Sequence, residues 1–386
     1  MKRLLMITVL LGALHLVSAQ TITQTCQAPA SCSASNPVAC SYMLSNATCV
    51  VTITGVPVPV TPAPSAAYVG PCDILAAAGT KCVAAQSLVR RSLANSAASP
   101  FEITRASDSK TLNVDTLSSG LVDAAAMNTF ISGTTCTYTE FYDQMGTPAL
   151  GNNLTRDVNV AGPGKAVAPC GWTTPPNGLT LPIARIVPGE GYNMGTCCNA
   201  GFSVPGNMPT GNAAITIYMV VENNSEGGSV NGCCSGLSDS ESPTEDAGKG
   251  SMFGPSYATG GMCPSSTGTG TGPWAGVDLE DGNCLYGATP TAKYMTIIAK
   301  WNPTTSTLTL KSGDATQGAL TTLYNGPLPN GVPILKLQGG YSLGRGGDGT
   351  NAPINFIEGG VIEGVTTDAA DNALQANITS FYGPAQ

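Results

Sequence analysis

The sequence almost lacks histidine, and this absence limits the chemistry available to the protein. Of 386 residues one is histidine, His15, and it lies in an apolar segment at the start of the chain. A Ser-His-Asp triad, a Cys-His dyad and a histidine-ligated metal site are therefore excluded for the remainder. Acid–base chemistry would fall to carboxylates, Tyr or Lys. The sequence also lacks paired CxxC motifs, so we expect no metal and no cofactor.

Charge is scarce as well. Charged residues make up 10% of the chain, and the formal net charge is −8. Because no basic cluster occurs, nucleic acid and anionic membranes are not expected partners. The abundant Gly, Ser, Thr, Asn and Pro instead suit neutral polar ligands such as sugars.

Long hydrophobic runs are missing except at the start of the chain. Residues 1–19 combine Lys2 and Arg3, an apolar run and the small residues Ser18 and Ala19, which is typical of a secretory signal peptide. No other run approaches the ~20 residues that cross a bilayer. We therefore expect a secreted, extracellular, monomeric protein. Glycosylation is predicted at four N-x-[ST] sequons, at Asn46, Asn153, Asn223 and Asn377.

Cysteine is plentiful, with 14 residues, and in an exported protein disulfides are the default interpretation. Residues 20–54 form a Cys-rich segment, 55–67 a Pro-rich linker, and 68–386 a single large domain. The alternative is that the first segment is an ordered extension of the main domain. Spacing alone does not pair Cys26, Cys32, Cys40, Cys49, Cys136, Cys170, Cys197, Cys198, Cys263 and Cys284.

The main domain is predicted to be all-β. Short segments rich in Thr, Val, Ile and Tyr alternate with Gly, Pro and Asn turns, which favours an antiparallel β-sandwich of jelly-roll type. The predicted strands are 135–142, 214–221, 293–301, 306–312, 333–340 and 355–365. Two helices are predicted, one from Cys82 over "CVAAQSLVRRSLAN" and one over "DAADNALQANITSFYG", with Asp368 near its start.

Two acidic motifs are the best candidates for chemistry. In "GPWAGVDLEDGN", Asp278, Glu280 and Asp281 lie close to Trp274, and in a strand residues 278 and 280 would share a face. In "SLGRGGDGTN", Asp348 follows two glycines, including Gly347. Two carboxylates on separate strands could hydrolyse a glycosidic bond. Solvated turns would produce the same patterns.

Two pairs of adjacent cysteines occur, Cys197–Cys198 and Cys233–Cys234. Adjacent Cα atoms lie about 3.8 Å apart, below the usual disulfide range of about 4.4–6.8 Å. A bond within such a pair closes a strained ring, which is more often tolerated at a functional site. From the pattern alone, bonds to distant cysteines are equally open.

Several motifs together resemble, in order, the catalytic domain of glycoside hydrolase family 54, the α-L-arabinofuranosidase B type. They run from "GPCDILAAAGTKC" through "NGCCSG", "GPWAGVDLEDG" and "GGDG" to "DNALQANI", and cover about residues 70 to 380. The resemblance implies a retaining β-sandwich enzyme that removes terminal α-L-arabinofuranosyl groups from arabinoxylan or arabinan of plant cell walls.

The resemblance also implies roles for individual residues. Glu280 matches the nucleophile and Asp348 the acid/base, while Asp278 and Gly347 match sugar contacts. Cys233 and Cys234 match a disulfide between neighbours that lines the sugar pocket, and we add the adjacent Asp281 as a candidate contact. Cys72 and Cys82 match a disulfide closing the loop before the first helix.

The chain departs from the family at several positions. Asp281 stands where an Asn is usual, Ser235 to Leu237 replace an aromatic and an acid, and no Trp occurs in 263–272. Ile131 replaces a cysteine partner of Cys136, and the arabinan-binding β-trefoil module is not found. A β-xylosidase or galactofuranosidase, a non-catalytic lectin-like protein and a wall glycoprotein therefore remain alternatives.

Overall fold

The structure is a computed structural model. It describes residues 68–145, 153–156, 168–187, 190–194, 208–223, 236–240, 248–258, 267–280, 283–329, 331–344 and 353–385, and the backbone of two strands near the N-terminus. The chain divides into two compact units, Met1–Ala67 and Tyr68–Gln386. In the first unit, β1 (Thr21–Cys26) pairs antiparallel with β2 (Cys49–Thr54), with Cys26 opposite Cys49.

The second unit consists mainly of strands. In chain order the described elements are α1 (Pro71–Ala77), β3 (Lys81–Ser87), β4 (Phe101–Arg105), β5 (Thr111–Val114), α2 (Ala124–Phe130), β6 (Cys136–Phe141), β7 (Leu154–Arg156), β8 (Cys170–Thr173), β9 (Leu181–Ile186), β10 (Tyr192–Met194), β11 (Ile215–Glu222), β12 (Leu237–Ser240), β13 (Gly254–Ala258), β14 (Thr267–Thr269), β15 (Trp274–Asp278), β16 (Cys284–Ala288), β17 (Tyr294–Asn302), β18 (Thr307–Asp314), β19 (Thr321–Gly326), β20 (Gly340–Leu343), β21 (Ile354–Glu363) and α3 (Asp368–Tyr382).

These strands form three sheets. A seven-stranded sheet has the order β12-β20-β10-β7-β6-β4-β5. An eight-stranded sheet has the order β19-β18-β17-β11-β21-β9-β8, and its eighth strand, β3, also pairs with β21. A four-stranded sheet has the order β13-β15-β16-β14. It continues the seven-stranded sheet, because Asp239 and Phe253 exchange backbone hydrogen bonds of 3.0 and 2.9 Å.

The two large sheets pack face to face, as the sequence predicted. The Tyr138 hydroxyl of β6 donates to the Ile183 carbonyl of β9 at 3.1 Å, and the Tyr341 hydroxyl of β20 donates to Gln86 of β3. Apolar side chains fill the space around these contacts, because each sheet buries one face against the other. The expectation of an antiparallel β-sandwich is confirmed.

The other face of the eight-stranded sheet is covered by α3. Lys300 of β17 and Lys311 of β18 both donate to the buried Asp371 Oδ2 at 2.6 Å. Beneath the end of the helix, Arg90 makes a bidentate ion pair with Glu358, at 2.9 and 2.7 Å. Both sets of contacts pair the buried charges at the interface between the helix and the sheet.

Two of the predicted elements are wrong. Residues 81–87 form β3, not a helix, because small and apolar side chains suit a strand buried on both faces and paired to β21. Residues 333–340 are mainly irregular, and a strand begins only at Gly340. The C-terminal helix is confirmed, but its N-cap is Thr367, whose hydroxyl accepts a hydrogen bond from the Ala370 amide.

The structure pairs some of the cysteines. Cys72 and Cys82, the pair that the resemblance implied, are bonded, with an S–S distance of 2.07 Å. The bond joins α1 to β3, so it does not precede the first helix. Cys136 bonds Cys170 across the two sheets. Cys284 is also disulfide-bonded.

Candidate active site

Glu280 lies on the tight turn that joins β15 to β16. Strand β15 ends at Asp278, and Glu280 adopts a left-handed backbone with φ of 74°. The expectation that strand alternation places residues 278 and 280 on one face is therefore wrong, since the strand stops before Glu280. Asp278 is 2% exposed, and its Oδ1 accepts the Glu280 amide at 3.1 Å. The buried carboxylate thus holds the turn that carries the second acid.

Backbone hydrogen bonds fix this turn on both sides. The Leu279 amide donates to the Asn283 carbonyl at 2.9 Å, and the Gly250 amide donates to the Leu279 carbonyl at 2.6 Å. Asn283 donates to the Glu280 carbonyl through its backbone amide at 2.9 Å and through its side chain at 3.0 Å. Leu279 and Asn283 are fully buried. The left-handed geometry at Glu280 is therefore imposed by its neighbours.

Asp278 belongs to a row of small and polar residues that crosses the joined sheets. Its register partners are Gly254 and Cys284. A side chain at Gly254 would lie 2.5 Å from Ser238 Cβ, so only glycine fits there. Beyond it, Ser238 and Ser342 share a hydroxyl hydrogen bond of 2.9 Å. Sequence reasoning missed these serines, because only strand register brings them into the same row as Asp278. It also missed Asn283, whose role depends on its hydrogen bonds to Leu279 and Glu280.

The other predicted site residues lie outside the described residues: Cys233, Cys234, Asp281, Gly347 and Asp348. The described residues that adjoin two of these segments, the adjacent cysteines and the GGDG motif, are hydrogen-bonded to each other. The carbonyl of Gly236, which follows the adjacent cysteines, accepts the amide of Gly344, which precedes the GGDG motif, at 3.0 Å. Strands β12 and β20 are neighbours in the sheet.

Three of the four sequons lie among the described residues, and Asn46 lies outside them. Asn153 donates to Glu140 at 2.9 Å and accepts from the Asp143 amide. Burial raises the pKa of Glu140, while this hydrogen bond opposes the rise. Asn377 donates to the Val69 carbonyl at 3.2 Å, and Asn223 directly follows β11. All three are partly exposed, and their glycosylation stays a prediction.

Three other features bear on what the described residues could bind: metal-ligand clusters, membrane-spanning helices and cavities. No cluster of His, Cys, Asp and Glu in the described ranges could hold a metal ion. None of the described helices has the length and apolar character to cross a membrane. A cavity of about 790 Å³ lies beside the end of α3 and is lined by Asn177, Gln317 and Phe381. It belongs to the α3 face of the eight-stranded sheet, and its described lining includes no carboxylate side chain.

The chain matches a family model described as "Alpha-L-arabinofuranosidase B, catalytic" over residues 71–382. An α-L-arabinofuranosidase from Hypocrea jecorina is 32% identical over 338 residues, covering 81% of this chain and 62% of the relative. An "Arabinofuranosidase/B-xylosidase" from Trichoderma koningii is 31% identical with the same coverage. The chain therefore spans about 62% of the length of these curated relatives.

Solved structures of arabinofuranosidases also match the chain. A mutant of a family 54 α-L-arabinofuranosidase, soaked with 4-nitrophenyl α-L-arabinofuranoside, matches with a TM-score of 0.70 and 28% identity. An arabinofuranosidase complexed with arabinofuranosyl-α-1,2-xylobiose matches with a TM-score of 0.69 and 29% identity. Each match covers 81% of this chain and 65% of the other. The domain that carries the Asp278–Glu280 turn belongs to the α-L-arabinofuranosidase B catalytic family of glycoside hydrolases.

Proposed function

We propose that the protein is a secreted, retaining exo-glycosidase that removes terminal α-L-arabinofuranosyl groups from arabinoxylan or arabinan. The observation that carries this proposal is the turn at Glu280, fixed in a left-handed conformation beside a buried Asp278, in a chain of this family. Relatives solved with an aryl arabinofuranoside and with arabinofuranosyl-xylobiose support the substrate class.

The mechanism follows from two carboxyl groups with different tasks. Glu280, ionised, attacks the anomeric carbon as the bond to the leaving oxygen breaks, and Asp348 donates its proton to that oxygen. Asp348, now a carboxylate, then takes a proton from water, and the resulting hydroxide displaces Glu280. The product is arabinose with retained configuration, and both carboxyl groups return to their first state.

Asp278 is assigned to sugar binding because a buried carboxylate can accept hydrogen bonds from sugar hydroxyls. Such bonds strengthen as positive charge develops on the ring in the transition state. The carboxylate also accepts the Glu280 amide, so it holds the nucleophile and the sugar in one arrangement. Cys233, Cys234, Asp281 and Gly347 are proposed as further pocket contacts.

The test is hydrolysis by purified protein of an aryl α-L-arabinofuranoside and of arabinoxylan, followed by proton NMR. We expect the first-formed product to be the α-anomer and the Glu280→Gln variant to lose activity by about 10³-fold or more. An active Glu280→Gln would reject the nucleophile, and first-formed β-anomer would reject double displacement.

A second activity is favoured by one observation, the relative named "Arabinofuranosidase/B-xylosidase". An aryl β-xyloside therefore belongs in the same assay. Turnover of the xyloside alone would replace the proposed function by β-xylosidase activity. Binding of arabinoxylan without turnover of any glycoside would favour the lectin-like alternative.

Export is a separate part of the proposal. Residues 1–19 are proposed to be removed and the mature chain to act as an extracellular monomer. N-terminal sequencing of protein secreted by a eukaryotic host should begin at Gln20. A mature protein that still carries Met1 would contradict the assignment.

A further inference from the structure

An uncharged cavity of about 380 Å³ lies at one edge of the sandwich, between β8 and α2. Strand β8 is the edge strand of the eight-stranded sheet, and α2 follows β5, the edge strand of the seven-stranded sheet. The volume is within the range of about 300–1,000 Å³ that is typical of ligand sites. We call this space the Trp172 cavity, and its described lining residues are Trp172, Thr180, Ala124, Ala125 and Asn128.

The strand that carries Trp172 is held in place on two sides. Cys170, two residues earlier, bonds Cys136 of β6, and alternation places Trp172 on the same face of β8 as Cys170. The Trp172 carbonyl accepts a hydrogen bond from the Arg185 side chain of β9 at 3.3 Å. The indole packs against the hydrophobic core but remains partly exposed. A large aromatic ring therefore borders the cavity from a fixed strand.

The side chains across the cavity leave room beside this ring. Ala124 and Ala125 have the smallest side chains apart from glycine, and Asn128 and Thr180 are exposed. An amide can both donate to and accept from sugar hydroxyls, and so can the threonine hydroxyl. An aromatic ring with neutral polar groups around it suits a sugar, whose ring has apolar C–H faces and polar hydroxyls. Because no described lining residue is charged, an ionic ligand would gain no ion pair there.

A second uncharged cavity adjoins the first. The cavity of about 790 Å³ beside the end of α3 includes Leu121 and Leu179 in its lining. Leu179 directly precedes Thr180, and Leu121 lies three residues before Ala124, so the two cavities are neighbours on the surface. The described lining of the larger cavity also carries no charged side chain. Two adjacent uncharged cavities fit a chain of sugars better than a single sugar.

The position of the Trp172 cavity separates it from the catalytic turn. Helix α2 begins beside β5, because the Asp123 amide donates to the Asp115 carbonyl at 2.8 Å. The sheet that carries Asp278 joins the opposite edge of the seven-stranded sheet, at β12. The two edges are six strand spacings apart, which is about 29 Å at about 4.8 Å per spacing. A sugar in the cavity is therefore not the one that Glu280 attacks.

A remote contact of this kind would act on polymers alone. A second contact with the same polysaccharide holds the chain near the enzyme and raises its effective concentration at the catalytic turn. A small glycoside does not reach both places at once. The cavity would therefore affect the KM of a polymer and leave the hydrolysis of a small glycoside unchanged.

We propose that the Trp172 cavity binds the xylan backbone of arabinoxylan at a distance from the bond that is cleaved. The Trp172 ring contacts the C–H face of a xylopyranose unit, because a pyranose chair presents a flatter apolar face than a furanose ring. Asn128 and Thr180 hydrogen-bond its hydroxyls, and the neighbouring cavity takes further units of the chain. This inference rests on the proposed function, because it names a second contact with the proposed substrate.

The first test compares soluble arabinoxylan with an aryl α-L-arabinofuranoside. Trp172→Ala and Asn128→Ala should each raise the KM for arabinoxylan about 3- to 10-fold and leave kcat nearly unchanged. Both variants should hydrolyse the aryl glycoside within about 2-fold of wild type. Tyr142→Ala is the matched control and should change neither, because Tyr142 is a partly exposed ring that lines neither cavity.

Two kinetic outcomes would overturn the proposal. Equal losses on both substrates would show that the cavity serves the catalytic turn or the fold, and unchanged kinetics on both would show that it contacts no substrate. Asn128 is exposed within α2, and alanine favours a helix, so Asn128→Ala should not lower the unfolding midpoint in urea. A lower midpoint would assign Asn128 a structural role instead.

A binding experiment separates failure of this inference from failure of the proposed function. The sequence has three tryptophans, Trp172, Trp274 and Trp301. Titration of the Glu280→Gln variant with xylohexaose should give a saturable fluorescence change that Trp172→Ala abolishes and Trp274→Phe retains. This readout holds even if the wild type hydrolyses no arabinofuranoside.

The same titration can reject the site. No fluorescence change, or a change that survives Trp172→Ala, would reject the cavity as a xylan site. A change with a linear arabino-oligosaccharide and none with xylohexaose would reject the pyranose chain as its ligand.

Discussion

At the scale of single residues, the backbone at Glu280 links stability to function. A non-glycine residue in the left-handed region is destabilised by about 1–2 kcal/mol. Glycine avoids this strain but loses more backbone entropy on folding, which offsets part of its advantage. We therefore expect the free energy of unfolding, measured in urea, to be about 0.5–1 kcal/mol larger for Glu280→Gly than for Glu280→Ala. Both variants lack the carboxylate, so the comparison isolates the backbone. Equal stability would show that the turn is not strained.

The buried ion pair between Arg90 and Glu358 is a second residue-scale feature. Both side chains are almost fully buried, and the guanidinium also lies 4.3 Å from the centre of the Phe381 ring. Glu358→Gln would leave the Arg90 charge uncompensated, and we expect a loss of about 3–5 kcal/mol in the free energy of unfolding. Asp108→Asn, which removes a surface partner of Arg105, is the matched control and should change stability far less. A similar loss in both variants would contradict this account.

At the scale of elements, the start of α3 fixes how the helix covers the eight-stranded sheet. Thr367 Oγ1 accepts the Ala370 amide at 3.1 Å. Thr367→Ala should lower the free energy of unfolding by about 1 kcal/mol, because the first turn loses its cap. Thr367→Ser keeps the hydroxyl and should retain most of the stability. A loss as large in the serine variant would point to the lost methyl group instead.

An ion pair at the start of α3 predicts that the stability of the protein depends on pH. The hydrogen bond from Lys311 Nζ, at 2.6 Å, lowers the pKa of Asp368. Because the pKa of Asp368 is lower in the folded state, its carboxylate stabilises the fold fully above its unfolded-state pKa of about 3.9. This stabilisation is lost as the pH falls through the lower folded-state pKa. Urea unfolding at low salt should show a difference between wild type and Asp368→Asn that is constant from pH 7 to 5 and shrinks below about pH 4. The difference should be under about 1 kcal/mol, since Asp368 is 82% exposed. A difference that grows in acid would contradict the sign.

At the scale of the whole molecule, two disulfides constrain segments of different length. Cys72 and Cys82 are 10 residues apart, and Cys136 and Cys170 are 34 apart. Loop-closure entropy predicts stabilisation of about 2.8 and about 3.8 kcal/mol. Replacing each pair by serine should therefore destabilise the protein more for Cys136–Cys170, as measured by urea unfolding. The reverse order would show that local strain or packing outweighs chain entropy.

Much of the fold and part of the site could be predicted from the sequence. The strands at 136–141, 215–222, 294–302 and 307–314 have the Thr, Val, Ile and Tyr content that strands favour, and Leu374 and Ile378 mark the buried face of α3. Such patterns depend on side chains near in sequence, so they are readable one segment at a time. The near absence of histidine likewise limits acid–base chemistry to carboxylates, Tyr or Lys on composition alone.

Tertiary structure decided what depends on distant partners. Residues 81–87 became a strand because β21 offered an edge and both faces were covered. Cys136 found Cys170 because strands β6 and β8 lie close across the sandwich. Register alone placed Gly254 beside Asp278 and brought Ser238 into the same row across the joined sheets. The sequence by itself determined the β class and the acids available, whereas long-range pairing determined which side chains surround them, because hydrogen-bonded register joins residues that no local pattern relates.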